Sequence, residues 1–548
     1  MLPGFLATAG AGVTCWGVDG PPSDTVVLSP VVRTADGALD PGAVAEELAT
    51  RPGALARLLP PFAAVRQDHS GVTMVADSMG FRQLFHTSPG ESGDAMLSSS
   101  ALAIARKQGA RLDLAAVGNQ SLLGWQLGQR TLFEGVDKLA PGVVAKLSSG
   151  GLSLSEAPEQ EGGPLALEKA VAGAAALLRT ALASLLDDHP DAVLQLTGGA
   201  DSRLLLSAIH PARRRGLRAM TLHVPGGSDA AIARDISARY GIDHEVKDLA
   251  SLDDVTGEDA WRLCTDAAVR LDAMSDPVGL AALGVGERSF AQGVRISGLG
   301  GEVARGFYYV GRVDDRPYTP KDAARLAAWR MFVNEAVEPG LLTDEFTRSA
   351  RETAEREVYE ALRAGGEEWF RATDELYLRH RMQRWAGATD TAVSGQRTVI
   401  NPMLDPAFLE ISRRLRPQDK ADSRFLASLQ MALDPDLGRI PLDGRPAPSA
   451  YAAHSSWWSI VHTVSTGRRL ARKAVQRLRH GNRAPAGGAV LAEKVVQHWR
   501  ANPAIVAPLA SLDFVRPEWV VAMLESNVEP RPSSVAFVTN LIVATRGQ

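Results

Sequence analysis

At 548 residues the chain is too long for a single hydrophobic core, so its length predicts two or more domains. Apolar residues make up 45% and charged residues 22%, and 59 basic residues against 63 acidic ones give a net charge of −4. This ordinary, nearly balanced composition argues against a general affinity for nucleic acid. The two cysteines, Cys15 and Cys264, lie far apart and form no CxxC or Cys/His cluster, so no disulfide framework or structural zinc site is expected.

The N-terminal segment lacks the features of a secretory signal. It carries no Lys or Arg before Arg33, whereas a signal peptide needs a positive start ahead of its apolar run. The most apolar long segment, residues 170–186, is interrupted by Arg179, and its pattern predicts an amphipathic helix rather than a membrane span. The protein is therefore predicted to be cytoplasmic and reduced.

Residues 1–160 are predicted to form a mainly β domain with a few helices. Short apolar runs with a period near two, such as TVVLSPVVR and FAAVRQDHSGVTMVAD, are separated by Gly, Pro, Asp and Ser. The polar segment 156–168, which carries Gly and Pro and few apolar residues, predicts the linker to a second domain spanning 161–548.

The second domain is predicted to contain a parallel sheet. Its Ala- and Leu-rich helical segments alternate with short apolar strands that end in glycines: AVLQLTGG, LRAMTLHVPGG and GVRISGLGG. The ligand site of such a sheet lies outside the carboxyl ends of its strands. All three glycine-rich turns are therefore expected at that edge.

The first of these turns predicts an anion site. Residues 192–196 are predicted to form a strand and the run from Asp201 a helix, and the Gly-Gly pair between them allows close backbone approach to a ligand. The helix N-terminus adds N–H donors and partial positive charge, while Asp201 is placed for a metal ion. No GxxxxGK[ST] pattern is present, so this is not a Walker loop. The simpler alternative is a tight strand-to-helix connection without a ligand.

Five segments resemble asparagine synthetase-like enzymes, in the order that family has them. They are VADSMGFRQLFHT (75–87), TLFEGVDKLAPGVVAKL (131–147), TGGADSR (197–203), SGLGGEVARGFYY (297–309) and INPMLDPAFLEISRRL (400–415). The TGGADSR segment resembles the pyrophosphate loop of the N-type ATP pyrophosphatases. The resemblance implies an α/β protein. It would have a degenerate N-terminal nucleophile-type amidotransferase domain with antiparallel sheets (1–160). A parallel-sheet ATP pyrophosphatase domain with many helices (161–548) would follow.

The resemblance also implies the site residues, with ATP and Mg²⁺ as ligands. The nucleotide would contact Thr197, Gly198, Gly199, Asp201, Ser202, Leu222, His223, Val224 and Gly298. Asp201 and Glu302 would hold the magnesium, since Mg²⁺ prefers carboxylate and phosphate oxygens. The catalytic set would be Asp201, Ser202, Glu302 and Arg203, although Arg203 could instead form a surface ion pair.

Departures from the family pattern narrow the implied function. The chain begins Met1-Leu2-Pro3 where glutamine-dependent members carry a nucleophilic cysteine, so the nitrogen is not expected to come from glutamine. Leu299 replaces the catalytic polar residue of asparagine synthetases and β-lactam synthetases, and it favours a nucleophile that is already largely unprotonated. A peptide α-amine, with a pKa near 7.7–8.0, fits that requirement.

These features are similar to those of lasso-peptide cyclases. Such an enzyme adenylates an Asp or Glu side chain of a precursor core peptide, and the N-terminal amine of that peptide closes a macrolactam ring. The expected partners are the core peptide, with a leader-recognition protein and a leader peptidase as further candidates; nucleic acid and membranes are not expected. The alternatives are a β-lactam-type synthetase and a peptide-binding scaffold without catalysis.

For several further residues the sequence allows more than one interpretation. Asp276 predicts a turn, a helix cap or the border of an acceptor pocket. Arg439 and Arg445 lie in the region where family members carry a basic residue that stabilises the adenylate. The pair Trp457-Trp458 predicts core packing or a peptide grip. The basic stretch 468–483 predicts a solvated helix face or a docking site for an acidic partner.

Overall fold

The computed structural model describes residues 4–9, 12–17, 24–29, 31–87, 94–156, 162–223, 229–290, 293–394, 396–452 and 487–546. Four features singled out in the sequence lie outside the described residues: the start Met1-Leu2-Pro3, Val224, the pair Trp457-Trp458 and the basic stretch 468–483.

Two antiparallel sheets of five strands each form most of the N-terminal region. The strands are β1 (Gly4–Thr8), β2 (Gly12–Trp16), β3 (Thr25–Val27), β4 (Ala63–Asp68), β5 (Gly71–Ala76), β6 (Phe85–Thr87), β7 (Met96–Ser98), β8 (Val136–Lys138), β9 (Val143–Ser148) and β10 (Gly151–Glu156). One sheet has the order β2-β1-β7-β6-β8 and the other β10-β9-β5-β4-β3. The prediction of a mainly β region is confirmed.

The period of two in these strands separates two apolar layers. Ala63 and Val65 face the cluster between the sheets, where they meet Phe5 of the other sheet. Ala64, between them, faces the opposite cluster with helix α1 (Pro41–Thr50). Because successive side chains of a strand point to opposite faces, this sheet has its inner face on its partner sheet and its outer face on a helix.

A third, parallel sheet is formed by strands that follow the two antiparallel sheets in the chain. Its strands are β11 (Val193–Gln195), β12 (Arg218–Leu222), β13 (Asp243–Lys247), β14 (Arg295–Ile296) and β15 (Val399–Ile400). Their order is β13-β12-β11-β14-β15 and every pairing is parallel. The three strands predicted from sequence are all present, and the predicted parallel sheet is confirmed. Strand β11 is central, so the loop that follows it is flanked by two strands on each side.

Helices surround the sheets. The others are α2 (Ala101–Gln108), α3 (Leu114–Leu123), α4 (Leu167–Asp188), α5 (Ala200–Ala208), α6 (Asp229–Tyr240), α7 (Gly257–Arg270), α8 (Pro277–Glu287), α9 (Pro320–Leu326), α10 (Asp344–Ala364), α11 (Trp369–Leu376), α12 (Gly387–Val393), α13 (Pro406–Arg414), α14 (Pro417–Lys420), α15 (Arg424–Leu433), α16 (Pro435–Gly438), α17 (Pro448–Ala452), α18 (Gly488–Ala501), α19 (Pro517–Leu524) and α20 (Pro532–Thr545). Two π-helical segments, Ala327–Met331 and Tyr377–Ala386, follow α9 and α11 directly.

Helix α4 packs its apolar face against the parallel sheet. Leu178, Leu182 and Leu185 belong to the same buried cluster as Leu194 of β11. The sequence predicted no membrane span here, but the whole helix has the length and apolar composition of one, with a mean hydropathy of 1.4 in its best window. Its spacing of buried leucines at three and four residues is that of an amphipathic helix on a core, as predicted.

A turn of the N-terminal region docks onto the helices of the second half. Asp77 is buried and accepts hydrogen bonds from four backbone N–H groups, which fixes the turn that contains Arg82. The Arg82 guanidinium then donates to the carbonyl oxygen of Thr391 at 3.3 Å and to Ser394 Oγ at 2.9 Å. The Asp-x-x-Gly segment noted in the sequence therefore joins the two halves of the chain.

Candidate nucleotide-binding site

The loop after β11 is held in shape by its own hydroxyl groups. Ser202 Oγ accepts a hydrogen bond from Thr197 N and lies 3.0 Å from Thr197 Oγ1. Thr197 Oγ1 in turn accepts from Gly199 N at 3.1 Å. The two hydroxyls therefore brace each other across the Gly198-Gly199 turn, which leaves the small glycines at its tip.

Helix α5 begins directly from this turn. Gly199 is its N-cap residue and makes no side-chain cap. The N–H groups of the first helical turn and the positive end of the helix dipole are thus not neutralised by a capping side chain. Asp201 occupies the first turn of α5. The strand, glycine turn and helix predicted from sequence are confirmed, and their combination suits an anion.

The glycine-rich segment after β14 lies against the start of α5. A methyl group on Gly298 would come within 2.9 Å of Ser202 N, and one on Gly301 within 2.3 Å of Asp201 Oδ1. Gly300 has a φ of +106°, and a methyl group there would meet the carbonyl oxygen of Met403 at 2.9 Å. The glycines are thus required by close approach, and they bring Glu302 to the same place as Asp201.

Arg305 bridges the two acidic residues predicted to hold a metal. Its guanidinium lies 3.2 Å from Asp201 Oδ2 and 3.0 Å from Glu302 Oε1. Burial raises the pKa of Asp201 to about 6; the positive charges of Arg305 and Arg445 oppose this rise, and the charge of Glu302 adds to it. The prediction from sequence that Asp201 and Glu302 lie close together is confirmed. It did not identify Arg305 as the cation between them.

The donor set at this position fits magnesium in part. Two carboxylates are available, and Glu302 Oε2 is buried without a hydrogen-bond partner among the described residues. Mg²⁺ is commonly bound by one or two carboxylates together with substrate phosphates, so a full protein cage is not required. Within the described ranges no group of three or more His, Cys, Asp or Glu side chains could hold a metal ion. A magnesium ion would therefore need a phosphate ligand and the departure of Arg305.

Two distant segments fix the position of Gly198. Its N–H donates to Asp229 Oδ1 at 2.9 Å, at the start of α6. Its carbonyl oxygen accepts from the N–H of Asp443 at 3.0 Å. Leu222 and His223 lie at the carboxyl end of β12, on the same edge of the sheet. Because β12 pairs with β11, the predicted nucleotide residues Leu222 and His223 lie beside the loop after β11.

Arg203 is a buried anchor of the loop. Its side chain is 0% exposed, and its guanidinium donates to the carbonyl oxygens of Ile440 (2.5 Å), Pro441 (3.0 Å) and Gly198 (3.3 Å). Burial lowers its pKa to about 10, so it stays protonated at neutral pH. Among the described residues no carboxylate pairs with it, so the surface ion pair considered from sequence is wrong. Arg203 fixes the loop after β11 through backbone carbonyls.

The structure distinguishes between the alternatives that the sequence left open for Arg439, Arg445 and Asp276. Arg439 forms an exposed ion pair with Asp436 at 3.0 Å, whereas Arg445 is close enough to lower the pKa of Asp201. Asp276 caps α8 and accepts from Gly279 N at 2.9 Å, which confirms the helix-cap interpretation. Leu299 packs against an apolar cluster.

Sequence reasoning missed Arg305, Asp229 and Asp443. Arg305 follows Glu302 by three residues, a spacing that brings side chains together within one helical turn and was the only local signal. Asp229 and Asp443 contact Gly198 through tertiary structure, and their sequence surroundings give no indication of it.

A separate cavity of about 800 Å³ lies between the N-terminal region and α10. Its lining includes Arg130, Asp113 and His380 and none of the predicted site residues. Arg130 and Asp113 pair at 2.7 Å. His380 Nδ1 accepts from Gly128 N at 3.0 Å, and burial lowers the pKa of His380 to about 4.

No family model matches this chain, and no curated protein matches it. The resemblance to asparagine synthetase-like enzymes therefore rests on the five sequence segments. The geometry described above is consistent with the part of that resemblance that concerns the loop at 197–202 and the segment at 297–302.

Proposed function

We propose that this chain is an ATP-dependent ligase that activates a carboxylate as an acyl-adenylate. The observation that carries the proposal is the convergence of two glycine-rich segments at the carboxyl edge of a parallel sheet. One segment presents an uncapped helix N-terminus, and the other brings Glu302 to the Arg305 guanidinium shared with Asp201. N–H donors at a helix start can bind the phosphates of ATP, and two carboxylates beside them can hold a metal ion on the leaving pyrophosphate.

In the proposed reaction, the substrate carboxylate oxygen forms a bond to the α-phosphorus of ATP. The bond from that phosphorus to the bridging oxygen of the β-phosphate breaks, and pyrophosphate leaves. N–H groups of the first turn of α5 would stabilise the charge on the leaving group. When bound, Mg²⁺ held by Asp201 and Glu302 would neutralise part of the same charge.

The particular enzyme we propose is a lasso-peptide cyclase, in which the amine comes from the peptide itself. Leu299 is partly buried against apolar side chains and can take no proton. A nucleophile with a pKa near 7.7–8.0, such as a peptide N-terminal amine, needs less help from a base than a lysine does. Attack of that amine on the adenylate carbonyl would expel AMP and close an isopeptide ring. A small amino-acid substrate, as in β-lactam-type synthetases, is the alternative acceptor.

One observation favours a different class, a peptide-binding scaffold without catalysis. The Arg305 guanidinium already neutralises the carboxylates that a metal would need. A protein that had lost ATP chemistry could keep such an ion pair for stability alone. The two functions differ in whether the chain turns over ATP.

Carboxylate-dependent exchange of labelled pyrophosphate into ATP tests the proposal. With a candidate core peptide carrying Asp or Glu, the wild-type chain should support exchange, and Asp201→Asn and Glu302→Gln should abolish it. Asp436→Asn is the matched control, because Asp436 is an exposed carboxylate in a surface ion pair. Exchange that survives Asp201→Asn would refute the proposal, as would the absence of exchange and of hydroxamate trapping with every peptide offered.

A further inference from the structure

Arg305 lies where a divalent cation would bind. Its two terminal nitrogens contact one carboxylate each, with separations of 3.2 Å to Asp201 and 3.0 Å to Glu302. The side chains of Arg305, Asp201 and Glu302 are 22%, 18% and 22% exposed, so water reaches the cluster from one side. A single guanidinium therefore contacts both carboxylates on which the proposed metal site depends, and Glu302 Oε2 stays without a hydrogen-bond partner among the described residues.

The guanidinium and a metal compete for the same oxygen lone pairs. Mg²⁺ binds carboxylate oxygens directly at about 2.0–2.1 Å, and it gives up its water reluctantly. A free ion would have to break two ion pairs in a partly buried place and leave the guanidinium without a partner. That cost falls when a phosphate arrives with the metal, because arginine binds phosphate oxygens in the same bidentate way as carboxylates.

The short helix that carries Arg305 has a left-handed glycine at each end. Arg305 ends the short 3-10 helix Gly301–Arg305, which is bounded by Gly300 and Gly306, both left-handed. The aromatic rings of Phe307 and Tyr377 stack 4.4 Å apart just beyond this helix. Tyr377 begins the π-helical segment Tyr377–Ala386, and π-helical turns occur frequently at functional sites.

We propose that Arg305 is a displaceable counter-ion: it excludes free divalent cations from Asp201 and Glu302 and transfers to the phosphates of the nucleotide when ATP and metal bind together. The inference rests on the proposed function, because it takes the ligand of this site to be a metal–nucleotide complex. Arg305 is thereby a specificity-determining residue that makes the metal site dependent on the nucleotide.

Manganese binding in the absence of nucleotide tests this inference. The full chain is titrated with Mn²⁺, and free Mn²⁺ is followed by electron paramagnetic resonance. Arg305→Met should bind one Mn²⁺ at least about tenfold more tightly than wild type. Adding Glu302→Gln should abolish that gain. Arg439→Met, which removes an exposed arginine from a surface ion pair, should behave as wild type.

A second measurement follows the other half of the exchange. The affinity for the Mn²⁺–ATP complex relative to that for free Mn²⁺ should fall at least about tenfold in Arg305→Met, because the cation no longer has to displace a guanidinium and the phosphates no longer gain one. If Arg305→Met fails to fold in a thermal melt, Arg305→Gln carries the same two expectations. Gln removes the positive charge and keeps a polar, though shorter, side chain at this position.

The outcomes separate this inference from the proposed function. A folded Arg305→Met or Arg305→Gln chain that binds Mn²⁺ no more tightly than wild type would overturn the counter-ion role, even if pyrophosphate exchange is active. Tighter Mn²⁺ binding in a chain without exchange activity would support the role and overturn the proposed ligase. An equal gain in Arg439→Met would also overturn it, since the effect would then be one of general charge.

Discussion

Replacing Gly301 with alanine adds one methyl group where the two glycine-rich segments touch. That carbon would lie 2.3 Å from Asp201 Oδ1 and 2.6 Å from Asp201 Cγ. Because ordinary contacts to a carbon are near 3.5 Å, the carboxylate must move by about 1 Å. The group that moves is the one proposed to act on ATP and metal, so the substitution should affect activity more than folding.

The expected size of the effect follows from this displacement. A shift of about 1 Å in a reacting or positioning group can reduce a rate by about 100-fold, so kcat/KM for pyrophosphate exchange should fall by about that factor. The free energy of unfolding should decrease by about 1–2 kcal/mol, the usual cost of one added carbon in a packed place. Exchange kinetics and urea denaturation measure the two quantities on the same preparation.

Gly284→Ala is the matched control for this substitution. Gly284 lies within α8, and a methyl group there would meet nothing within 4 Å. Alanine in a helix is more favourable than glycine by about 1 kcal/mol, so this variant should be slightly more stable and fully active. Wild-type exchange activity in Gly301→Ala would refute the assignment of Asp201 to the reaction.

Two further predictions concern buried groups. Arg203→Met should lower the free energy of unfolding by about 2 kcal/mol, because three backbone carbonyls lose their donor, and should weaken ATP binding through the loosened loop. Weaker ATP binding with unchanged stability would instead make Arg203 a phosphate ligand. His380 is held neutral in the folded chain by its lowered pKa, whereas in the unfolded chain it takes up a proton below pH 6.5. Its contribution to stability is therefore complete above pH 6.5 and is lost as the pH falls towards 4. The difference in unfolding free energy between wild type and His380→Gln should shrink by about 3 kcal/mol between pH 7 and pH 4, and a constant difference would contradict this.

Local sequence was sufficient for the elements that build the site. The strand, the Gly-Gly turn and the helix at 193–208 are encoded by neighbouring residues, through apolar period and glycine position. The approach of Glu302 to the place of Asp201 was inferred from a resemblance to other proteins. Spacing alone would not have given it, since the two residues are 101 positions apart and follow different strands.

The roles of individual side chains depended on tertiary packing. Arg203 in an isolated helix could be exposed, and it is the 440–441 segment that buries it and supplies its acceptors. Arg305 is one of many arginines in the sequence, and its spacing from Glu302 indicates one ion pair but not the second one, to Asp201. Residues of the glycine-rich segments could thus be singled out from the sequence, whereas the residues that they contact across the fold could not.

The anchoring of the loop after β11 by Arg203 has a consequence for the order in which the chain folds during its synthesis. Two of the three carbonyl oxygens that accept hydrogen bonds from Arg203 belong to Ile440 and Pro441, 237 and 238 positions further along the chain. During synthesis, the strand, turn and helix can form long before those residues leave the ribosome. The loop then remains without this anchor until Ile440 and Pro441 have been made. The candidate nucleotide site is in this sense completed only after these residues are translated, and a chain that ends before them would carry the glycine-rich loop without its anchor.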